Sequence, residues 1–558
     1  MYKPKVLWVG EASYLNTGYS RIGFEILQRL YNTGKWNISE FSSYGDYEEA
    51  FKNGIPWKFY PNLPNKNNKQ EVDTYLAKPT NQFGEWRFEE VCLDFEPDIV
   101  ISITDPWMHE YQFLSPYRRL YNQVVMPTVD SDPQQPAWIA MYMGADRVAA
   151  YSAYGKRILE EQSNGKISVF DVLRPGFDDQ NFKVLPNKQE IRQSLLMPVP
   201  KDAFVIGTVM RNQKRKLYDD LFLSFKTFCE KYPRIGENSF LYCHTSIIDN
   251  GWDIPRLLKE HGIANKVLFS YVCRNCHNII SSYFNNTNRF CPFCGGQMTS
   301  PNTRYGANNE QLGRIYNTFN IYVQYSIAEG AAIPPVEAAA CGIPVLEVDF
   351  SAMEDYVRCL GGVPINVLKK FRETETHCYR VYPDNNHLIE ILHQIAIMPE
   401  IDRHIWSLKT KALANKYFNW DDVAEKWSIM LDSLQIAGSR WHSQPFIHQP
   451  NLNIPQQISN TNFIDHAIAN ITGRTDLINT YFAIKILRDL NAGAKIQGFG
   501  GNLSYNDDSM FSQNFGFKPY SREDMVNELL RMNNNTNEWE QKRLAKMNGQ
   551  YKKPEWIL

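Results

Sequence analysis

The stretch Tyr325–Val345, YSIAEGAAIPPVEAAACGIPV, constrains this chain more than any other. Two glutamates, Glu329 and Glu337, stand with seven residues between them. A glycine follows the first, and the double proline Pro334-Pro335 precedes the second. Proline pre-sets the first turn of a helix and wastes no N–H there. The spacing therefore predicts a helix that begins at Pro334 or Pro335, with Glu329 in the loop before it and Glu337 about one turn in. The small residues Ala338–Cys341 continue the helix, and Gly342-Ile343-Pro344-Val345 leads into a strand. A loop, helix and strand in this order form an α/β unit. A helix N-terminus facing a cleft attracts phosphate, and a carboxylate in its first turns can grip sugar hydroxyls.

At 558 residues the chain is too long for one core, so two or more domains are expected. Lys5–Gly10, Asp98–Ile103 and Gln123–Met126 read as short buried strands, with an amphipathic helix at Ile22–Tyr31. A second series opens at Phe204–Val209 and continues through Ser239–Cys243 and Lys266–Phe269. Strands alternating with helical patterns argue for parallel sheets covered by helices. The net charge of −2 gives no whole-molecule attraction to nucleic acid or membrane. No apolar run reaches the ~18 residues of a spanning helix, and MYKPKVLWVGEAS reads as a first strand, not a leader. A cytoplasmic protein is expected. The richness in Asn, Tyr and Ile is what AT-rich coding DNA produces, a pointer to a low-GC bacterium or its phage.

The glutamate motif resembles the nucleotide-sugar site of retaining glycosyltransferases with the GT-B fold, roughly S-x-x-E-G-x-x-x-P-x-x-E-A-x-A-x-G-x-P-V. Other landmarks follow in order. Ala145–Ser152 resembles the family's last N-domain strand, Leu173–Asp178 its interdomain linker, Gln311–Tyr316 the helix before the motif, and Phe418–Trp427 the closing helix that crosses back. The resemblance covers roughly residues 4–436. It implies two Rossmann-like domains facing a cleft: an acceptor domain over 1–180, a nucleotide-sugar domain over 181–417, and a crossover helix over 418–436.

The same resemblance implies site residues. Met210–Lys216, MRNQKRK, follows the first strand of the second domain. Arg211 and Lys216 have the family's Arg–Lys spacing and would grip the donor diphosphate, where cations aimed at a growing charge favour the transition state. Taken without its position, this run reads first as a solvated basic loop; its place just after the strand reverses that. Glu329 would hold the donor sugar, Glu337 the ribose, and the loop Gly330, Ala331, Ala332 and Ile333 would line the donor. Gly18, in Asn16–Arg21, lets backbone approach a phosphate, and is also what an ordinary turn takes. Many family members carry a histidine where this chain has Asp130. That departure leaves Asp130 either orienting a sugar or acceptor hydroxyl or capping a helix. Asp105 and His109 are further candidates. The implied activity is transfer of a sugar from a nucleotide-diphosphate sugar to a hydroxyl, retaining, by same-face attack, without a catalytic metal and after domain closure.

Two segments fall outside the resemblance. Cys273-x-x-Cys276 and Cys291-Pro-Phe-Cys294 lie fourteen residues apart in an insert at 271–303. Four thiolates at this spacing make a closed structural zinc ribbon; a redox dithiol pair is the rival reading, and His277 is not needed as a ligand. Within Cys273–Arg304 stand Arg274, Arg289 and Arg304, aromatics at Tyr283, Phe284, Phe290 and Phe293, and no acid. That suits nucleic-acid contact, or else a solvated knob. The tail, 437–558, opens with a Pro/Gln/Asn/His-rich linker, Gly438–Gln457. Helical patterns follow at Phe463–Asn491 and Arg522–Met547, with a Gly/Asn/Ser-rich loop at Gly498–Asp508 between them. It is a candidate oligomer contact. The acceptor stays open among glycan, small molecule and DNA with modified bases, the last through a loop, Gly10–Tyr19, that resembles phage-encoded relatives. A catalytically inactive binding scaffold is the alternative from another class.

Overall fold

The computed structural model describes residues 2–285, 288–302, 304–374, 376–436, 438, 440–492 and 520–557. The expected loop at Gly498–Asp508 lies outside them.

The first sheet contains β1 (Lys5–Glu11), β2 (Asn37–Ser43), β3 (Lys58–Pro61), β4 (Ile99–Ser102), β5 (Asn122–Val125), β6 (Arg147–Ala150) and β7 (Val169–Val172). All pair in parallel, in the order β3-β2-β1-β4-β5-β6-β7. The second sheet contains β8 (Phe204–Val209), β9 (Ser239–His244), β10 (Val267–Cys273), β11 (Ile279–Tyr283), β12 (Met298–Thr299), β13 (Ile321–Gln324), β14 (Val345–Val348) and β15 (Val363–Ile365). Its order is β11-β10-β9-β8-β13-β14-β15, with β12 beside β10. Only β11 and β12 are antiparallel. The short apolar runs form fully buried strands because helices cover both faces, as at β4 and β13, where every residue is buried.

Strand order reverses between β1 and β4 in one sheet and between β8 and β13 in the other. Adjacent βα loops there run to opposite faces and leave a crevice at the carboxyl ends of the strands, where ligands bind in open α/β sheets. These two crevices supply the residues that meet between the domains.

Two segments tie the halves together. The helix Trp420–Asp432 returns from the second domain to the first, where Trp427, Met430 and Leu431 enter the core of β1 and the helix Gly18–Asn32. Its Trp427 ring lies 6.0 Å from that of Trp8. A hairpin of β16 (Val367–Arg372) and β17 (Tyr379–Pro383) reaches from the second domain to the loop after β5. There Tyr379 N–H donates to the Asp132 carbonyl at 2.7 Å.

The tail is a clamp on the first domain. Trp441 and Ile557 are buried in the core containing Leu7, Phe88 and Tyr121. Arg119 pairs with buried Glu540 at 2.7 Å, and Lys546 with Glu96 at 2.7 Å. The segment expected as one helix at Phe463–Asn491 is broken instead. A helix Asn460–Ala467 runs into a π-turn, stops at Gly473 with φ 62°, and a second helix spans Tyr481–Ala492. Gly473 takes the left-handed conformation that ends a helix cheaply only at glycine. Among the described residues no helix is long and apolar enough to cross a membrane.

Candidate active site

The loops after β8 and β13 are zipped to each other. Leu217 N–H donates to Tyr325 O at 3.1 Å and Ile327 N–H to Arg215 O at 3.0 Å. This pairing sets Arg215 and Lys216 against Glu329. Arg215 Nη1 lies 2.7 Å from Glu329 Oε2, while Lys216 Nζ and the Ser326 hydroxyl donate to Oε1. Gln324 adds a bond at 3.1 Å. Burial alone pushes the Glu329 carboxyl up; Arg215 and Lys216 overcome it and hold the group at about 2. Burial, with Arg215 beside it, lowers Lys216 to about 8 against the pull of Glu329. Arg211 is placed elsewhere: half-exposed, it pairs with Asp249 through Nε at 2.8 Å and Nη2 at 3.1 Å.

The helix carrying Glu337 spans Ile333–Ala340, one residue earlier than its prolines suggest, with Ala332 as N-cap and no side chain capping it. Pro334 and Pro335 remove two of the N–H groups that a helix start leaves unbonded, which leaves those of Ala332 and Ile333. Glu337 is 1% exposed. Tyr316 OH donates to its Oε2 at 2.9 Å, and Arg21 of the opposite domain donates to its Oε1 at 2.5 Å.

Gly330 touches the facing domain. A Cβ there would lie 2.1 Å from Thr128 Cγ2, so a larger residue would have to displace that methyl. Thr128 and Asp105 both bind the Tyr19 hydroxyl, at 2.6 and 2.9 Å. Asp105 follows β4 and is half-buried, within reach of the charges of Asp130 and Arg215. Burial first, then the like charge of Asp130, raises it to about 6 against the hydroxyls that bond it. Asp130 itself is held by Arg380 of the hairpin at 2.8 Å, and Arg380 also binds Glu373 at 3.2 Å. His109 lies apart, buried with Nδ1 3.2 Å from Thr104 Oγ1 and lowered to about 3 by burial; it packs beside Phe113 and Tyr142. Gly18 opens the helix Gly18–Asn32, and a Cβ there would meet nothing within 4 Å.

The site thus gathers Lys216, Glu329, Gly330, Ala332, Ile333, Glu337, Asp130 and Asp105 around one seam. Arg215, Arg21, Tyr316 and Arg380 belong to it too and were not singled out from the sequence. Arg215 stood in the basic run, where spacing favoured Arg211. Arg21 and Arg380 carry no local signal, because each meets its carboxylate across the domain boundary.

The four cysteines of the insert converge, every Sγ within 4.8 Å of the others. Cys273 and Cys294 sulfurs lie 3.4 Å apart, Cys276 and Cys291 sulfurs 3.6 Å. Thiolates at about 2.3 Å from one zinc ion stand roughly 3.8 Å from each other, so the cluster fits a structural zinc. Each Cys-x-x-Cys turn closes in the left-handed region, at His277 (φ 57°) and Gly295 (φ 72°). Their N–H groups donate to Cys273 O at 3.1 Å and Cys291 O at 2.9 Å. Of the insert's cations, Arg289 lies 4.4 Å from the Tyr271 ring centre and bonds Tyr283 O, so it serves local packing. Phe290 and Phe293 are exposed.

Neither a protein-family model nor a curated protein sequence matches the chain. Solved structures do. Sucrose-phosphate synthase from Thermosynechococcus elongatus is 14% identical with a TM-score of 0.53, over 77% of this chain and 98% of that one. A glycosyltransferase from Rickettsia africae is 14% identical with a TM-score of 0.52, over 77% and 98%. A point mutant of TarM from S. aureus, in complex with fondaparinux, α-GlcNAc-glycerol and UDP, is 10% identical with a TM-score of 0.50, over 77% and 100%. The fold is GT-B, with a four-cysteine insert and a helical C-terminal region added to it. Glycosyltransferases are among the solved structures that share it.

Proposed function

We propose that this protein is a retaining glycosyltransferase that moves a sugar from a nucleotide-diphosphate sugar to a hydroxyl acceptor. The observation that carries the reading is Glu329. It is a buried carboxylate, kept charged by Arg215 and Lys216 at the mouth of the β8/β13 crevice, one short loop before a proline-started helix that bears Glu337.

In this reading Glu337 accepts hydrogen bonds from the ribose hydroxyls and Glu329 orients the donor sugar. The N–H groups of Ala332 and Ile333, with Arg215 and Lys216, meet the diphosphate. Departure of the nucleoside diphosphate builds charge on the bridging oxygen, and fixed cations there stabilise it most in the transition state. The counter-charge comes from the protein, so the chemistry needs no divalent metal. The acceptor hydroxyl enters beside Asp105 and Asp130 on the same face of the sugar as the leaving group, which retains the anomeric configuration. Cys273, Cys276, Cys291 and Cys294 hold zinc in a closed site that shapes the insert and does no chemistry. The acceptor is a glycan or small molecule, or DNA. Arg289, committed to Tyr271, weakens the insert as a DNA contact and favours the glycan or small-molecule class.

The test is nucleotide release from a panel of UDP-, GDP-, ADP- and dTDP-sugars, with product anomers read by NMR. Release that Glu329→Gln and Lys216→Met abolish supports the reading. Inverted product, or immediate loss of activity in EDTA that Mn²⁺ restores, refutes the mechanism; no release from any donor refutes the activity.

A further inference from the structure

We propose that Arg21 is a donor-positioning residue, neutralising Glu337 in the free protein and turning to the donor diphosphate when the nucleotide binds. This rests on the donor reading above.

Glu337 is buried, and a buried carboxylate without a partner is costly. Its own domain supplies one neutral partner, Tyr316, on Oε2. The cation on Oε1 comes from the facing domain, from the first turn of the helix Gly18–Asn32. The two sides differ in freedom: the Glu337 side chain is 1% exposed and that of Arg21 36%. Ribose hydroxyls arriving at Glu337 supply the hydrogen bonds that Arg21 supplies before, so the carboxylate stays satisfied when Arg21 leaves.

What Arg21 turns to follows from the other cations. Arg215 and Lys216 share the one carboxylate of Glu329, Arg380 is shared between Asp130 and Glu373, and Arg211 faces Asp249. The Arg215–Lys216 pair leaves a single positive charge unmatched, and a diphosphate bringing two or more negative charges calls for a further cation. Arg21 is partly exposed and lines a cavity of about 440 Å³ at the seam, together with Asn16, Phe177, Asn309 and Ile333. Ile333 is the first residue of the glutamate-bearing helix, so this cavity joins the donor helix to the helix that carries Arg21. One turn before Arg21, Gly18 leaves open space at a helix start, where phosphate is favoured. A guanidinium fork matches phosphate in two parallel bonds, which an ammonium cannot do.

Binding of UDP, GDP, ADP and dTDP, and of the four matching nucleosides, is measured by calorimetry on the full-length protein and on Arg21→Ala, Arg21→Gln and Arg21→Lys. Melting curves establish that each variant is folded; Arg21→Gln keeps a donor toward Glu337 if the alanine variant fails. For whichever diphosphate the native protein binds, loss of the cation should weaken binding about ten- to hundredfold. Lysine should restore part of it, and nucleoside affinity should not fall. An equal loss for nucleoside and diphosphate means a structural role only, and equal tightening means Arg21 merely blocks the site; either overturns the proposal. A native protein that binds none of the diphosphates overturns the donor reading itself.

Discussion

Glu329, buried, and Asp105, half-buried, are carboxyls on opposite sides of one seam, and they are shifted in opposite directions. Glu329 meets two cations and is held at about 2. Asp105 meets the hydroxyls of Tyr19 and Thr128 and the like charge of Asp130, and rises to about 6. Burial is the largest influence on each and pushes both upward, so the partners alone separate them. Environments that drive two carboxyls apart assign them different work. In the proposed reading the donor side carries a fixed charge that orients the sugar, and the facing side carries a group that changes charge near neutral pH beside the acceptor hydroxyl.

The largest effect should come from removing the donor-side cation. Lys216→Met leaves Glu329 with one counter-ion in a buried setting. Turnover should fall on the order of 10²–10³-fold, and stability by about 3–5 kcal/mol, read as kcat and as a denaturant midpoint. A variant with native turnover would remove Lys216 from the diphosphate site. Linkage gives the sign for the pair of carboxyls. The depressed Glu329 contributes stability that is present above about 4.5 and is lost as pH falls toward about 2. The raised Asp105 does the opposite: its cost is absent below its ordinary 3.8, grows as pH rises from there, and is complete above about 6.

Asp105→Asn tests the other half. Native turnover should rise with pH through about 6 as Asp105 ionises. The variant should lose that limb and run on the order of a hundredfold slower at pH 8. A limb near 6 that persists in the variant would end the contrast. Smaller again is Glu337→Ala, which should raise donor KM about ten- to hundredfold while kcat moves little, because ribose is gripped alike before and during the reaction. A drop in kcat with KM unchanged would mean that Glu337 acts on the transferring sugar.

The smallest effect on activity is expected at the insert, the region outside the comparison. The purified protein should hold one equivalent of zinc. Cys294→Ser should lose the zinc and speed hydrogen exchange within 271–303, with turnover in brief EDTA unchanged. Global unfolding of that variant would make the insert part of the fold's core.

Much of the donor side could be read in the chain. A glycine, two prolines and two glutamates at fixed spacing act within a few residues of one another, and so do the paired cysteines. The basic run after β8 was legible as a run, but its spacing pointed to Arg211 beside Lys216, and only the pairing of the β8 and β13 loops turned Arg215 onto Glu329. The facing side was nearly silent. Asp105 and Asp130 were visible as acids after strands, and nothing near them in sequence foretold Tyr19, Thr128 or Arg380.

Sequence alone determined what depends on local backbone chemistry: parallel strands from short apolar runs, a helix started by Pro334 and Pro335, two cysteine knuckles, and two glutamates set on either side of that helix start. Tertiary structure decided which cation meets which carboxylate, because the partners of Glu337 and Asp130 lie 316 and 250 positions away and come together only when the two sheets face each other. It also decided that the tail clamps the first domain, since the fit of Trp441, Trp539 and Ile557 into that domain's surface is a matter of shape, which no local pattern encodes.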